Sequence, residues 1–335
     1  MRLVLLIGFL WIIFSGCSRD PEIIFPEDKL FFIPEGFPTP AYDLSNNFSK
    51  AQFKLGKKLF FDPILSENIT VSCSSCHLPN AAFSDPGNAF SIGLNNTMGK
   101  RNSPALINLA WQTNFMWDGG VNHIEIQPLA PLTNPDEMGW DLAPVIANLN
   151  QNSEYKILFK KAFDTDSITS AFMFKALAHY MSCLISSESK YDQYTRGEIN
   201  LTASELNGLN LFQQNCSTCH TEPLFTDLSY RNNGIGWNAS SPDAGRFIIT
   251  QVNSDSLKFK VPTLRNIELT FPYMHDGRIN TLEEVINHYA SGNFHVNVDS
   301  EINSISLSTS EKLDLLNFLK TLTDEEFINN PNLKP

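Results

Sequence analysis

The stretches CSSCH at 73–77 and CSTCH at 216–220 decide how the chain is read. Each offers two thiols one helical turn apart and an imidazole directly after them: Cys73, Cys76 and His77 in the first, Cys216, Cys219 and His220 in the second. Thiols at that spacing can form thioethers with the vinyl groups of a haem, and the adjoining histidine can bind its iron axially. A zinc ribbon sets its two C-x-x-C knuckles about 15–20 residues apart, whereas these lie 143 apart and each runs straight into histidine. A thioredoxin-like redox motif needs neither that histidine nor a second copy. Two covalently bound haems c are expected.

Upstream, Met1 and Arg2 precede a 12-residue apolar run, 3–14, followed by Ser15, Gly16 and Cys17. A helix needs roughly 20 apolar residues to cross a bilayer, so the run reads as the apolar core of a signal peptide. The small residues before Cys17 resemble a bacterial lipobox. Residues 1–16 are thus expected to be a lipoprotein signal peptide and Cys17 the lipidated start of the mature chain, anchored to a membrane. Simple cleavage, or a disulfide at Cys17, is the alternative. Either way the expected location is the bacterial periplasm or cell envelope. The six cysteines divide as four for haem, one for lipid, and Cys183, which lies in the apolar stretch 171–185 and reads as a buried free thiol.

Losing the signal takes one arginine from 24 basic residues and leaves 23 against 36 acidic, a net charge of −13. That excludes nucleic acid and anionic lipid surfaces as electrostatic partners. It suits a basic electron donor, although solubility alone also accounts for acidity.

Residues 17–40 hold Pro21, Pro26, Pro34, Pro38 and Pro40 and read as an extended tether. Helical patterning starts near Ser49, with Phe53, Leu55, Leu59 and Phe60 on one face, and stops at Asp62-Pro63. The second half repeats the plan: Thr202 and Glu205 form a capping box, and Leu206, Leu209, Leu211 and Phe212 lead into CSTCH. Helices are expected at 141–150, 153–162, 167–186, 281–290 and 309–322. The long aperiodic segments 84–102 and 230–256 read as loops that wrap a cofactor. No alternation supports a sheet. The predicted fold is mainly α: two cytochrome c-like domains with one c-type haem each, a peroxidatic one at 41–190 and an electron-transfer one at 191–335.

Beyond the haem sites, matching segments run in order from about Leu55 to Leu322, over most of the mature chain, among them LGKKLFFDP, AFSD, GKRNSPALIN, WDG, NPDEMG, FKVPTLRN, FPYMHDG and TLEEV. In this set the chain resembles the bacterial di-haem cytochrome c peroxidase family, including its MauG-type branch. The resemblance implies that Trp117 lies between the haems, where an indole shortens an electron path; by itself it would read as core. It implies that Glu137 is the acid/base carboxylate of the peroxidatic pocket, with Gln127 beside it; by itself Glu137 would read as a charge near a helix start. It further implies a calcium held by oxygens of Asn102, Thr270 and Pro272, positions that would otherwise be an ordinary turn.

The chain also departs from the family. Many members carry a distal histidine on the loop after the first haem, where this chain has Leu94; no histidine occurs between His77 and His123. The first haem is therefore expected to have an open sixth position. Members also bind the second iron with a methionine 14 residues past the histidine of HDG, and from His275 that count falls on Tyr289. A tyrosine there resembles MauG-type His/Tyr ligation and implies a low potential. Met274 is the competing ligand, and a core tyrosine the other reading. Gly120 stands where WDG is usually followed by arginine; Arg101, Arg246 and Arg265 are candidates to supply that charge. His123 and His179 read as surface or satisfied core histidines.

The resemblance implies an oxidoreductase that reduces hydrogen peroxide at the His77 haem, with electrons arriving by way of the His220 haem from a small cytochrome c or cupredoxin. Oxidation of a residue on a partner protein is the alternative, and a non-catalytic electron carrier a third reading. A homodimer is among the expected assemblies.

Overall fold

The computed structural model describes residues 30–292, 294–295, 298–300, 302 and 305–335. The expected signal peptide, Cys17 and the first part of the tether lie outside the described residues. In chain order the helices are α1 (Lys50–Phe61), α2 (Leu129–Thr133), α3 (Leu142–Gln151), α4 (Ser153–Phe163), α5 (Ser170–Ser182), α6 (Lys190–Thr195), α7 (Ala203–Asn215), α8 (Phe247–Thr250), α9 (Leu282–Ser291), α10 (Thr309–Lys320) and α11 (Glu325–Asn329). Strands β1 (Tyr230–Arg231) and β2 (Phe259–Lys260) form one antiparallel pair of two residues each. The mainly helical expectation holds.

Helix α1 begins where the hydroxyl of Ser49 accepts the N–H of Gln52, which satisfies one of the orphan donors of the first turn. It ends at Asp62 because the following proline disfavours a helical residue before it. Asp62 then caps the next turn by accepting the N–H of Ile64 at 2.9 Å. The buried face of α1 packs on α5, and at the crossing the backbones nearly touch: a Cβ on Gly56 would lie 1.9 Å from the carbonyl oxygen of Ala176. The second half uses the same device. Helices α7 and α10 each open with a capping box, Thr202 with Glu205 and Ser308 with Glu311, and cross where a Cβ on Gly208 would lie 2.0 Å from the carbonyl oxygen of Asp314. Only glycine permits either approach.

Each crossing anchors a separate core. The first gathers Phe53, Leu55, Leu59, Phe60, Phe83, Leu94, Tyr155, Phe159 and the α5 face. The second gathers Tyr191, Leu209, Phe212, Phe225, Ile286, Leu315 and Phe318. The chain's end returns to the first core with Phe327, Ile328 and Leu333. Tyr180 donates its hydroxyl to the carbonyl of Leu333 at 2.7 Å, which fixes that return.

Between the halves, Asp324 accepts from Ser186 Oγ, Ser187 N and Glu188 N at 2.8–2.9 Å. Arg265, 1% exposed, makes two 2.8 Å bonds to Asp192. Removing either partner would strand a buried charge at a cost of about 3–5 kcal/mol. Arg265 is thereby committed to an internal ion pair. Residues 30–40, expected as tether, are docked: Trp111 donates Nε1 to the carbonyl of Pro38 at 2.7 Å and packs edge-on against Phe37 at 5.4 Å. Cys183 is buried and free, and α5 is shorter at both ends than its apolar pattern, capped by Thr169 and stopped at Cys183.

Candidate active site

CSTCH follows directly on the end of α7, whereas CSSCH opens with a tight turn of its own over Cys73–Ser75; each histidine is oriented in the same way. The Nδ1 of His77 lies 2.8 Å from the carbonyl oxygen of Phe83, and that of His220 lies 3.2 Å from the carbonyl oxygen of Phe225. A carbonyl only accepts, so Nδ1 carries the proton in both rings and Nε2 keeps its lone pair for a metal. Phe83 and Phe225 share φ values of 56° and 54° and are fully buried. That left-handed backbone aims the carbonyl at the ring, and the buried phenyl holds the strain in place. Burial also pushes both imidazoles below their ordinary pKa, which keeps them neutral, as a metal ligand must be.

Burial raises the thiols of Cys73 and Cys216 to about 12 and that of Cys76 to about 11. Neutral sulfurs one turn apart beside a fixed imidazole suit thioether attachment. The donor set of both halves therefore fits a haem c.

Around the first site, the turn carrying Glu137 is held on two sides. Asn134 donates its side-chain N–H to Glu137 Oε1 at 2.7 Å, and the carbonyl of Glu137 accepts from Leu94 N at 2.9 Å. The approach of the 91–97 loop requires Gly93, whose Cβ would lie 2.1 Å from the Asp136 oxygen. Burial raises the pKa of Glu137, the neighbouring Asp136 adds to the rise, and Asn134 opposes it. Glu137 itself adds to the high pKa of Cys76, so the two lie within electrostatic reach of each other. Leu94 is 2% exposed, inside the first core. Gln127 reaches the sulfur of Met116 at 3.8 Å, and among the described residues no hydrogen bond joins it to Glu137.

Trp117 spans the halves. Its Nε1 donates to the carbonyl of Asn102 at 2.8 Å, and its own carbonyl accepts from Lys260 N at 2.7 Å. Asn102 in turn donates its N–H to the carbonyl of His275 at 2.7 Å. Arg101 binds both Asp118 and Asp243, while Arg246 donates to the Asp118 carbonyl at 3.0 Å and stacks 3.7 Å from the Tyr230 ring centre. Two arginines thus converge on the turn that has Gly120 in place of arginine.

At the second site, burial pushes Tyr289 up to about 12, Asn233 opposes that rise, and Cys216 and Cys219 add to it. The phenol is therefore within electrostatic reach of the second attachment site. Its neighbour His288 is spent on the carbonyl of Asn233, at 3.0 Å. Met274 is close by, since Asn233 Nδ2 reaches its sulfur at 3.2 Å and the Tyr289 oxygen at 3.5 Å. Thr270 and Pro272 flank Phe271, whose carbonyl accepts from Gly87 at 3.1 Å, which brings that segment onto the loop preceding Asn102. His123 is exposed, as expected. His179 is buried but only half satisfied: Nε2 accepts from Ser49 N and Nδ1 has no partner among the described residues.

His275 escaped the reading of residues. It is buried and stacked on Phe259 at 3.7 Å and 8°. Its signal was internal: NFMWDGG at 114–120 and PYMHDGR at 272–278 align with a constant offset of 158. The structure repeats with them, with Met116 and Met274 at φ 68° and 76° and closing bridges from Phe115 to Val121 and from Tyr273 to Ile279. In this repeat His275 occupies the place of Trp117.

Comparison with known proteins gives one answer. The sequence pattern of the family described as di-haem cytochrome c peroxidase matches residues 50–200. The chain is 35% identical to the methylamine utilization protein MauG of Methylorubrum extorquens, over 87% of this chain and 83% of that one. It is 36% identical to the cytochrome c551 peroxidase of Nitrosomonas europaea, over 82% and 80%. Among solved structures, a MauG-like protein associated with microbial copper homeostasis superposes with a TM-score of 0.82 at 34% identity, over 90% of this chain and 97% of that one. With the two matched haem-attachment sites, these findings make the chain a member of the di-haem cytochrome c peroxidase family, an oxidoreductase that binds two haems c.

Proposed function

We propose that the His77 half reduces hydrogen peroxide, with electrons passed through the His220 half from a small cytochrome c or cupredoxin. The observation that carries this is Glu137: a part-buried carboxylate of raised pKa, on a turn held from both sides and within electrostatic reach of Cys76, in the half where Leu94 replaces a histidine. When bound, the haem supplies a redox-active iron held by the imidazole of His77. Asn134 occupies Oε1 of Glu137, so Oε2 is the atom that takes a proton from one peroxide oxygen and returns it to the other. Gln127, held by Met116, is the second polar side chain of this reading. Trp117 connects the halves through Asn102 and His275. Tyr289, with His220, would hold the second iron.

MauG-type oxidation of a partner-protein residue is the second reading. Tyr289 beside the second attachment site favours it. The proposal extends to domains at 41–190 and 191–335, the second lending residues 327–333 to the core of the first, a calcium at Asn102, Thr270 and Pro272, lipidation at Cys17 facing the periplasm, and a homodimer. The approach of the 270–272 segment to the 87–102 loop supports the calcium.

The oxidised spectrum of the protein matured with both haems tests the core of this reading. A high-spin ferric component beside a low-spin one is expected. Two low-spin haems would place a ligand opposite His77 and remove the open site.

A further inference from the structure

In the second pocket, one donor stands between two candidate ligands. The side-chain nitrogen of Asn233 is 3.2 Å from the Met274 sulfur and 3.5 Å from the Tyr289 oxygen. The amide is not free to turn, because Asn233 Oδ1 accepts the N–H of Ile235 at 3.2 Å. Nor is the backbone free to drift, because its carbonyl accepts Nε2–H of His288 and so ties the residue to the turn of α9 that carries Tyr289. Met274 is held next to it by a left-handed φ of 76° inside the tight turn closed by Tyr273 and Ile279.

We propose that Asn233 is the positioning residue that makes the second haem take Tyr289 rather than Met274 as its ligand; this rests on the reading of Tyr289 given above. A primary amide carries two N–H groups, and both acceptors lie on that side of Asn233. Sulfur is a weak acceptor, whereas a hydrogen bond to a charged oxygen is about twice as strong as a neutral one. The same amide therefore gains more when the phenol oxygen faces it as an anion than when the thioether does. Only one of the two side chains can fill the single remaining position on the iron. Asn233 thus supports the oxygen as ligand and retains the sulfur by a weak contact.

The experiment uses the full di-haem protein with Asn233→Asp and Asn233→Leu, and with Tyr289→Phe in parallel. Asp keeps the size and the acceptor for Ile235 N–H but removes both donors; Leu removes all polarity. Haem content by pyridine haemochrome confirms loading. Both Asn233 variants are expected to lose the tyrosinate-type low-spin signal of the second haem in electron paramagnetic resonance. In its place should come either a high-spin signal or the near-infrared band of methionine-bound ferric haem, which Met274→Leu then abolishes. Retention of the parent signal in both variants overturns the proposal. If Tyr289→Phe also leaves the signal unchanged, the ligand reading itself has failed; if Tyr289→Phe opens the site while the Asn233 variants are silent, only the role of Asn233 has.

Discussion

Asn134 donates to one oxygen of Glu137 at 2.7 Å and leaves the other to the pocket, so the two oxygens of this carboxylate have different tasks. A glutamine at 137 can still accept from Asn134 but cannot shuttle a proton. Glu137→Gln is expected to leave haem loading unchanged and slow the reaction with peroxide by roughly 10²–10⁴-fold. Stopped-flow mixing across pH measures it. The parent should also show an acid limb above the ordinary value of 4.5, because burial raises this carboxyl, and the variant should lack that limb. An unchanged bimolecular rate would take Glu137 out of the mechanism.

Leu94 is packed in the core under the Glu137 turn, so no side chain from that loop has to leave before peroxide can enter. The fully oxidised protein, as isolated, is expected to consume one equivalent of peroxide without prior reduction. If reaction appears only after one-electron reduction, another group blocks the site.

His179 gives the fold a pH dependence. Burial lowers its pKa from 6.5 to about 4, so between those values the unfolded chain binds a proton that the folded chain refuses. Stability from this group is complete above pH 6.5 and is lost as pH falls toward 4, by about 3 kcal/mol. In denaturant unfolding at pH 7 and pH 4.5, His179→Gln, which can still accept from Ser49, should flatten the slope. An identical slope in parent and variant would acquit His179.

The two helix crossings predict a contrast among glycines. Gly56→Ala and Gly208→Ala place a carbon about 2 Å from a carbonyl oxygen and should each cost at least about 3 kcal/mol, the upper part of the range for overpacking. Gly99→Ala meets nothing closer than 3.7 Å and should stay within about 0.5 kcal/mol. Thermal unfolding of the three variants decides it; equal melting temperatures would mean that the helices part without strain.

Helices α1, α7, α9 and α10 were legible because each carries its own punctuation, whereas the short α2, α6 and α11 were not expected. Ser49, Thr202, Thr281 and Ser308 sit at N-caps with the bonds their side chains predict. The haem-attachment segments were legible because their chemistry is local to five residues. Helix α8 was not, since Ile248 and Ile249 are both half exposed and give no face. The docking of residues 30–40 was hidden for a related reason: proline-rich composition reports stiffness, whereas the bond from Trp111 to Pro38 depends on a residue over seventy positions away. The pairing of Asn233 with both Met274 and Tyr289 needed the fold, because those three positions share no periodicity.

The return of Phe327, Ile328 and Leu333 to the core built on α1 and α5 has a consequence for the order of events in synthesis. The first half is emitted early, yet three of its core side chains and the acceptor for Tyr180 come last. Until residues 327–333 emerge, that half has an open seam, while the second half can close on its own residues from 191 to 322. A nascent chain would thus complete its compartments in reverse of their order along the sequence, and a ribosome stalled shortly before Phe327 would release a protein whose fault lies at the opposite end.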